Sequence, residues 1–123
     1  MISQINLISN TEDAVLDFHF GTSQTFYFKV EIQDSNGNPL FTDNGQWNGK
    51  TSFDLGSPTS LIGNYLVIYW SCLDLNGAGN PFNALAIVSQ NNKKCAEPQV
   101  FKGTSIANGN VDMTTAKIFK AGI

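Results

Sequence analysis

The segment DSNGNPL, residues 34–40, carries oxygen-bearing side chains at a spacing that can bind calcium. Asp34, Asn36 and Asn38 alternate as D-x-N-x-N, the pattern that opens an EF-hand loop. The rest of that motif fails, because Pro39 stands where glycine is needed and Gly45 where a bidentate glutamate is needed. The same residues suit a plain turn, since Asp and Asn side chains hydrogen-bond to nearby backbone groups. We therefore expect a turn, and we take its three polar residues as candidates for ligand binding. No metal site is predicted, and a calcium site is the alternative.

A partial repeat of this segment, DLNGAGNPFN, occupies residues 74–83. It keeps the Asp, the Asn-Gly and the Asn-Pro pairs with two residues inserted, which makes Asp74, Asn76 and Asn80 further candidate ligand-binding residues. Both copies follow predicted strands. If folding brought the two loops to one end of a domain, they would together form one ligand site.

Trp47 lies in the polar segment DNGQWNGK, where a large aromatic side chain has no obvious core to enter. An exposed Trp beside amides and carboxylates suits stacking on a sugar or on a partner surface. The alternative is that Trp47 folds back and closes one end of the domain. Fourteen asparagines and a charged fraction of only 14% give a surface of neutral hydrogen-bonding groups, which is typical of a carbohydrate-binding face.

Catalytic side chains are sparse. The only histidine, His19, lies between two Phe residues on the polar side of a predicted strand, where we expect it to face solvent. Motifs of serine hydrolases, zinc proteases, P-loops and dinucleotide-binding folds are absent. Cys72 and Cys95 allow one disulfide or two free thiols, and alone they cannot close a zinc site. We predict no enzyme and no cofactor, with a small hydrolase as an alternative because the ten acidic residues include no pair that the sequence selects.

The charges and apolar runs of the chain indicate which partners and locations are expected. All seven basic residues are lysines and the net charge is −3. Nucleic-acid binding needs clustered cations and gains most from arginine, so no nucleic-acid partner is predicted. No run of about 18 apolar residues is present, which favours a soluble protein. Residues 1–13 lack the charged and apolar segments of a secretory leader, so we expect a cytoplasmic protein or export by a signal-independent route.

Asn-Gly dipeptides are the strongest local signal in the chain. They occur at 36–37, 44–45, 48–49, 76–77 and 108–109. Both residues tolerate the positive φ that two-residue hairpin turns require. Each pair therefore predicts a tight turn, and five of them predict many short strands.

Between these turns, apolar and polar residues alternate with a period of two, which predicts half-buried antiparallel strands. In segment 24–33, Phe26 and Phe28 share one face while Tyr27 and Lys29 lie on the other. We expect this segment to form a hairpin with segment 16–20, across a short turn. Further strands are predicted at 2–8, 50–53, 84–89, 99–102 and 111–119, and one of a different pattern at 65–73.

The last of these segments changes face in its middle. Val111 and Met113 lie on one side, whereas Ala116 and Ile118 lie on the other, so a bulge near 114–115 would keep all four inward. No window combines a helical apolar period with a capping box, so we predict no regular helix beyond a single turn. About eight strands predict an all-β fold, an antiparallel β-sandwich of jelly-roll or immunoglobulin-like type, in a single domain over residues 1–123.

Segment 65–73 is apolar on both faces. Ile68 and Trp70 lie on one face, and Val67 and Tyr69 make the other face apolar as well. A strand of this kind is central and must be covered on both sides, by a second sheet and by a loop, a ligand or a partner chain. It also offers a surface for a homo-oligomer.

Two short segments resemble known families. The turn DSNGNPL between two predicted strands resembles the turns of bacterial immunoglobulin-like adhesin repeats. The stretch from TSFDL at 51–55 to YWSC at 69–72 resembles aegerolysins, small β-sandwich proteins that bind membrane lipids, although too few residues precede it to supply their N-terminal strands. Neither resemblance assigns a family or transfers a residue's role.

These observations favour a non-enzymatic binding or assembly module. Its partner would be a glycan or a protein, held by the loops around Trp47 and the two Asp-Asn-Gly turns or by the apolar outer face of strand 65–73. A membrane-binding β-sandwich toxin or effector is the first alternative, motivated by the aromatic content of 11%. A small hydrolase is the second.

Overall fold

The described part of the chain forms ten strands and one helical turn. The computed structural model describes residues 3–21, 25–73, 81–104 and 110–121. The elements are β1 (Ser3–Leu7), β2 (Ala14–Phe20), β3 (Thr25–Gln33), β4 (Pro39–Gln46), β5 (Ser52–Gly56), α1 (Pro58–Leu61), β6 (Tyr65–Leu73), β7 (Pro81–Gln90), β8 (Lys93–Lys94), β9 (Gln99–Thr104) and β10 (Asn110–Ala121). The all-β prediction is confirmed.

The strands form two open sheets that are mostly antiparallel. Sheet A has the order β1-β10-β6-β3-β4, in which β1 and β10 run parallel. Sheet B has the order β5-β2-β7, and both β8 and β9 pair with the remaining edge of β7. The prediction that segment 65–73 is a central strand is confirmed, since β6 lies between β10 and β3.

Aromatic side chains from both sheets meet in one core. Phe18 of β2 stacks on Phe28 of β3 with ring centroids 4.0 Å apart, and Trp70 of β6 stacks on Phe101 of β9 at 5.0 Å. All four are buried. Burying one large apolar side chain contributes about 1.5–3 kcal/mol, so these contacts between sheets are a main source of stability.

The predicted hairpin of segments 16–20 and 24–33 is wrong. β2 pairs with β5 and β7 in sheet B, whereas β3 pairs with β4 and β6 in sheet A. Their apolar faces pack against each other across the core, as the stacking of Phe20 on Phe26 at 5.0 Å shows. Two consecutive alternating strands can satisfy the same pattern by pairing edge to edge or by facing each other, and here they face each other.

The Asn-Gly pairs have different outcomes. Pairs 36–37 and 48–49 lie in turns, as predicted. The pair 44–45 lies inside β4, a strand that the sequence did not predict. A Cβ at Gly45 would collide with the backbone carbonyl of Lys50 and with the rings of Phe28 and Phe53, so this glycine is required by close packing. The pairs 76–77 and 108–109 are outside the described residues.

The predicted bulge near 114–115 is also wrong. β10 keeps an unbroken register with β6 from Asn110 opposite Leu73 to Ile118 opposite Tyr65. Ile118 therefore lies on the outer face, and Lys117 points to the core side near the edge of the sheet. The Lys117 ammonium donates to the carbonyl oxygen of Glu97 at 3.4 Å, which gives the inward charge a partner.

Helical structure in the described residues is limited to α1, a single turn that begins with proline. This agrees with the prediction of no regular helix. Across the described part of the chain, no helix has the length and apolar character needed to cross a membrane.

Candidate binding site

The predicted candidates in the first turn and Trp47 lie at opposite ends of one hairpin. The turn Asp34–Asn38 joins β3 to β4 at one end, whereas the Trp47 amide donates to the carbonyl of Phe26 at the other. Seven residues of β3 separate Phe26 from Gln33, or about 23 Å at 3.3 Å per residue. A small ligand cannot touch both.

The turn itself uses its polar groups internally. The carboxylate of Asp34 accepts hydrogen bonds from the backbone N–H groups of Asn36 at 2.9 Å and Asn38 at 3.0 Å, and Gly37 adopts a φ of +82°. These contacts, above all that from the Asn38 backbone, hold the pKa of Asp34 below its ordinary value. The D-x-N-x-N spacing is thus explained by an Asx turn. The described residues contain no cluster of three or more metal-ligating His, Cys, Asp or Glu side chains.

The second motif, with Asp74, Asn76 and Asn80, lies outside the described residues. The strand before this motif is described: β6 ends at Leu73, which pairs with Thr25 of β3. That end of sheet A is the one opposite to the turn at Asp34.

Trp47 has an exposed fraction of 37%, in the turn that follows β4. Its backbone is fixed on both sides, because the turn is closed by hydrogen bonds from the Gln46 amide to the Lys50 carbonyl and from the Gly49 amide to the Gln46 carbonyl. Trp47 remains a candidate for ligand contact at this end of the hairpin.

The second apolar face of β6 is buried at one position and exposed at another. Val67 is only 6% exposed, whereas Tyr69, two residues further on the same face, is 38% exposed. The Tyr69 hydroxyl accepts a hydrogen bond at 3.3 Å from Gln33, whose register partner is Tyr65. This bond ties the Tyr69 side chain to the neighbouring strand β3.

A network of charges holds Tyr69 in this position. The Lys29 ammonium lies 4.8 Å from the centroid of the Tyr69 ring and 3.1 Å from the Glu31 carboxylate. Gln33 donates to the same carboxylate at 2.8 Å. The Gln33 hydrogen bond, followed by Lys29, lowers the pKa of Glu31.

Tyr27 is the most exposed aromatic side chain among the described residues of this face, at 46%. It lies on β3, between β6 and the edge strand β4, in the cross-strand row that includes Ser71 of β6 and Gln46 of β4. It lines two shallow hollows, one on each side. We call the hollow toward β10 the β10 hollow, the hollow toward β4 the β4 hollow, and the two together the Tyr27 groove.

The two hollows are similar in size and differ in their polar groups. The β10 hollow has a volume of about 290 Å³, and the outward-facing residues that line it are Tyr27, Lys29, Tyr69, Ser71, Asp112 and Thr114. The β4 hollow has a volume of about 260 Å³, and beside Tyr27 its polar lining comes from Asn44, Gln46 and Lys50. Hydroxyl and amide groups thus surround one aromatic ring, an arrangement that binds polar molecules with apolar faces.

The lysines of the groove are neutralised. Lys29 pairs with Glu31, and Lys50 pairs with Asp43 on the neighbouring strand. The Lys50 hydrogen bond, helped by the backbone N–H of Asn44, lowers the pKa of Asp43. The groove therefore offers hydrogen bonds more than net charge.

One pair of carboxylates comes together away from the groove. Asp13 and Asp54 are both exposed, and the charge of Asp54 raises the pKa of Asp13. The two positions are joined by the pairing of β2 with β5, in which Asp54 lies opposite Val15. Among the described residues this is the carboxylate pair to test under the hydrolase alternative, which needs two carboxyl groups that act together. Both side chains lie on an open surface.

The sequence reasoning missed Tyr27 as a functional candidate. The alternation in segment 24–33 placed Tyr27 on the polar face, but a lone tyrosine there is ordinary. The available signal was that two neighbouring strands each put a tyrosine outward, Tyr27 and Tyr69, and it needed the pairing of β3 with β6 to become visible.

Comparison with known proteins gives no relative for this chain. No protein-family model matches it, and searches of curated proteins and of solved structures also found no match. The functional argument therefore rests on the geometry of the Tyr27 groove.

Proposed function

We propose that this protein is a non-enzymatic carbohydrate-binding module whose two sheets form a β-sandwich of jelly-roll or immunoglobulin-like type. The observation that carries the proposal is Tyr27, which is 46% exposed between two polar hollows on a sheet face. An aromatic ring binds the apolar face of a sugar, while hydroxyl and amide groups at its border bind the sugar's hydroxyls.

A glycan fits the groove better than a protein partner does. Stable protein interfaces cover about 800 Å² on each partner around a well-packed apolar centre. The Tyr27 groove instead has two hollows of about 290 and 260 Å³ with polar borders, close to the size of small-ligand sites. Val67 is buried, which leaves the outer face of β6 with less apolar surface for a homo-oligomer than the sequence indicated.

A glycan array with three variants tests the proposal. We expect the wild type to bind at least one class of glycan, and Tyr27→Ala to bind it about tenfold more weakly, since removing one stacking aromatic costs about 1.4 kcal/mol. Tyr65→Ala is the matched control, because Tyr65 lies on the same face of sheet A outside both hollows. Trp47→Ala tests the other aromatic candidate.

The outcomes separate the hypotheses. Loss of binding in Trp47→Ala with full binding in Tyr27→Ala would move the site to the turn after β4. A wild type that binds no glycan contradicts the proposal, and co-sedimentation with liposomes would then favour the membrane-binding alternative. Hydrolysis of an array glycan that is lost in Asp13→Asn or Asp54→Asn would favour the hydrolase alternative.

A further inference from the structure

We propose that the ligand of the Tyr27 groove is an uncharged, extended glycan that lies across the strands and is bound along its interior. This inference rests on the function proposed above and specifies its substrate class. The two hollows lie on one line, from β10 over β6 and β3 to β4. Three spacings between neighbouring strands give this line a length of about 14 Å. That is longer than a single sugar ring and suits a chain of several.

The position of Tyr27 divides this line into two halves. It lines both hollows, so a sugar ring stacked on it would have neighbours on each side. The β10 hollow offers the hydroxyl groups of Ser71 and Thr114, and the β4 hollow offers the amides of Asn44 and Gln46. A chain of sugars would place hydroxyl groups over both sets, whereas a monosaccharide would reach only one.

Among the described residues, no strand lies beyond either end of the groove. β1 pairs with β10 only from Lys117 to Ala121, so among the described residues no strand lies beyond Asp112 and Thr114. At the other end β4 is the edge strand of sheet A. Nothing described blocks a longer chain from continuing past either end, so the groove selects an internal segment of the glycan and not its terminus.

The lysines of the groove are already paired with carboxylates, which disfavours an anionic glycan as the ligand. Lys29 and Lys50, the lysines that line the groove, each contact a carboxylate, and Asp112 adds a further acidic group. Sulfated sugars or uronic acids would need cations that are not already paired, and they would meet Asp112 with like charge. Neutral hydroxyls match the lining without this cost.

Isothermal titration with defined oligosaccharides tests this inference. The probes are linear glucan, mannan and xylan oligosaccharides from one to six units, with oligogalacturonate of equal length as the anionic counterpart. We expect affinity for the neutral series that binds to rise at least about tenfold between one and four units, and the anionic probe to bind at least about tenfold more weakly at physiological salt. Tyr27→Phe should retain the affinity, and Tyr27→Ala should lower it about tenfold.

Two further variants test whether the chain occupies both hollows. Thr114→Ala alters the β10 hollow and Asn44→Ala alters the β4 hollow, and both side chains are exposed. We expect each to weaken the binding of the hexamer severalfold. Equal affinity for monomer and hexamer, tighter binding of the anionic probe, or an unchanged affinity in either variant would overturn the extended-chain inference while leaving the carbohydrate-binding proposal standing. Absence of binding to any glycan on the array would overturn both.

Discussion

The buried amide of Gln90 anchors the chain between β1 and β2, and replacing it is the sharpest test of how this fold is held together. Gln90 is 1% exposed. Its Oε1 accepts from the backbone N–H groups of Ile8 at 2.7 Å and Ser9 at 3.1 Å. Its Nε2 donates to the carbonyl oxygens of Ser9 at 3.0 Å and Glu12 at 2.8 Å. Four backbone groups of one loop thus depend on one side chain.

The variant Gln90→Leu keeps the volume and removes these four hydrogen bonds. Each contributes about 0.5–1.5 kcal/mol, and because the loop is partly exposed, water can replace some of them. We expect a loss of about 2–3 kcal/mol in the free energy of unfolding, or about 10 °C in Tm for a domain of this size. Urea unfolding measures the first, and hydrogen exchange should show lost protection at the amides of Ile8 and Ser9.

Gln4→Leu is the matched control, since Gln4 is an exposed residue of β1. A surface substitution of this kind changes stability by less than about 0.5 kcal/mol. If the free energy of unfolding of Gln90→Leu lies within about 0.5 kcal/mol of the wild-type value, Gln90 does not anchor the loop. Full protection of the Ile8 and Ser9 amides in the variant would refute the prediction in the same way.

Three further predictions follow from local contacts. Gly45→Ala should lower the free energy of unfolding by about 3 kcal/mol, because a fixed backbone carbonyl blocks the new Cβ. Gly37→Ala should lower it by only about 1 kcal/mol, because the new Cβ meets no atom and only the positive φ is unfavourable. Equal losses for the two variants in urea unfolding would contradict this prediction. Asp13→Asn should raise the urea midpoint at pH 7, because the charge of Asp54 raises the pKa of Asp13 in the folded state. The stability that comes from protonating Asp13 is present below its ordinary pKa and is lost as the pH rises through the raised pKa. The advantage of the variant over the wild type should therefore vanish near pH 3, and an equal advantage at both pH values would contradict the prediction. The Cys95 thiol, free and buried with a raised pKa, should react with a thiol reagent only after unfolding, and rapid reaction of the native protein would show that it is accessible.

Most of the strands were predictable from the sequence because their pattern has a physical cause. A strand between a core and solvent must alternate, and segment 24–33 does so over its whole length. The doubly apolar pattern of segment 65–73 correctly indicated a central strand. β4 was missed because its Asn44-Gly45 pair is typical of a turn, and only the approach of the Lys50 carbonyl shows why glycine lies inside a strand.

Pairing was much less predictable than the strands themselves. The apolar faces of segments 16–20 and 24–33 are consistent both with a hairpin and with two strands that face each other across a core. The sequence pattern near residue 114 likewise indicated a bulge, because it counts Ala116 and Ile118 as inward. In the structure the register is continuous, and Ile118 lies on the outer face opposite Tyr65.

The sequence by itself determined the all-β class, the central position of segment 65–73 and the turn at Asp34, since each depends on local alternation or on the backbone preferences of a few residues. The candidate binding site was decided by the tertiary structure. Pairing of β3 with β6 put Tyr27 beside Ser71 and near Tyr69, and pairing of β3 with β4 separated Trp47 from the Asp34 turn by the length of a strand. Side chains more than 40 positions apart in the chain become neighbours only through strand register, which local patterns do not encode.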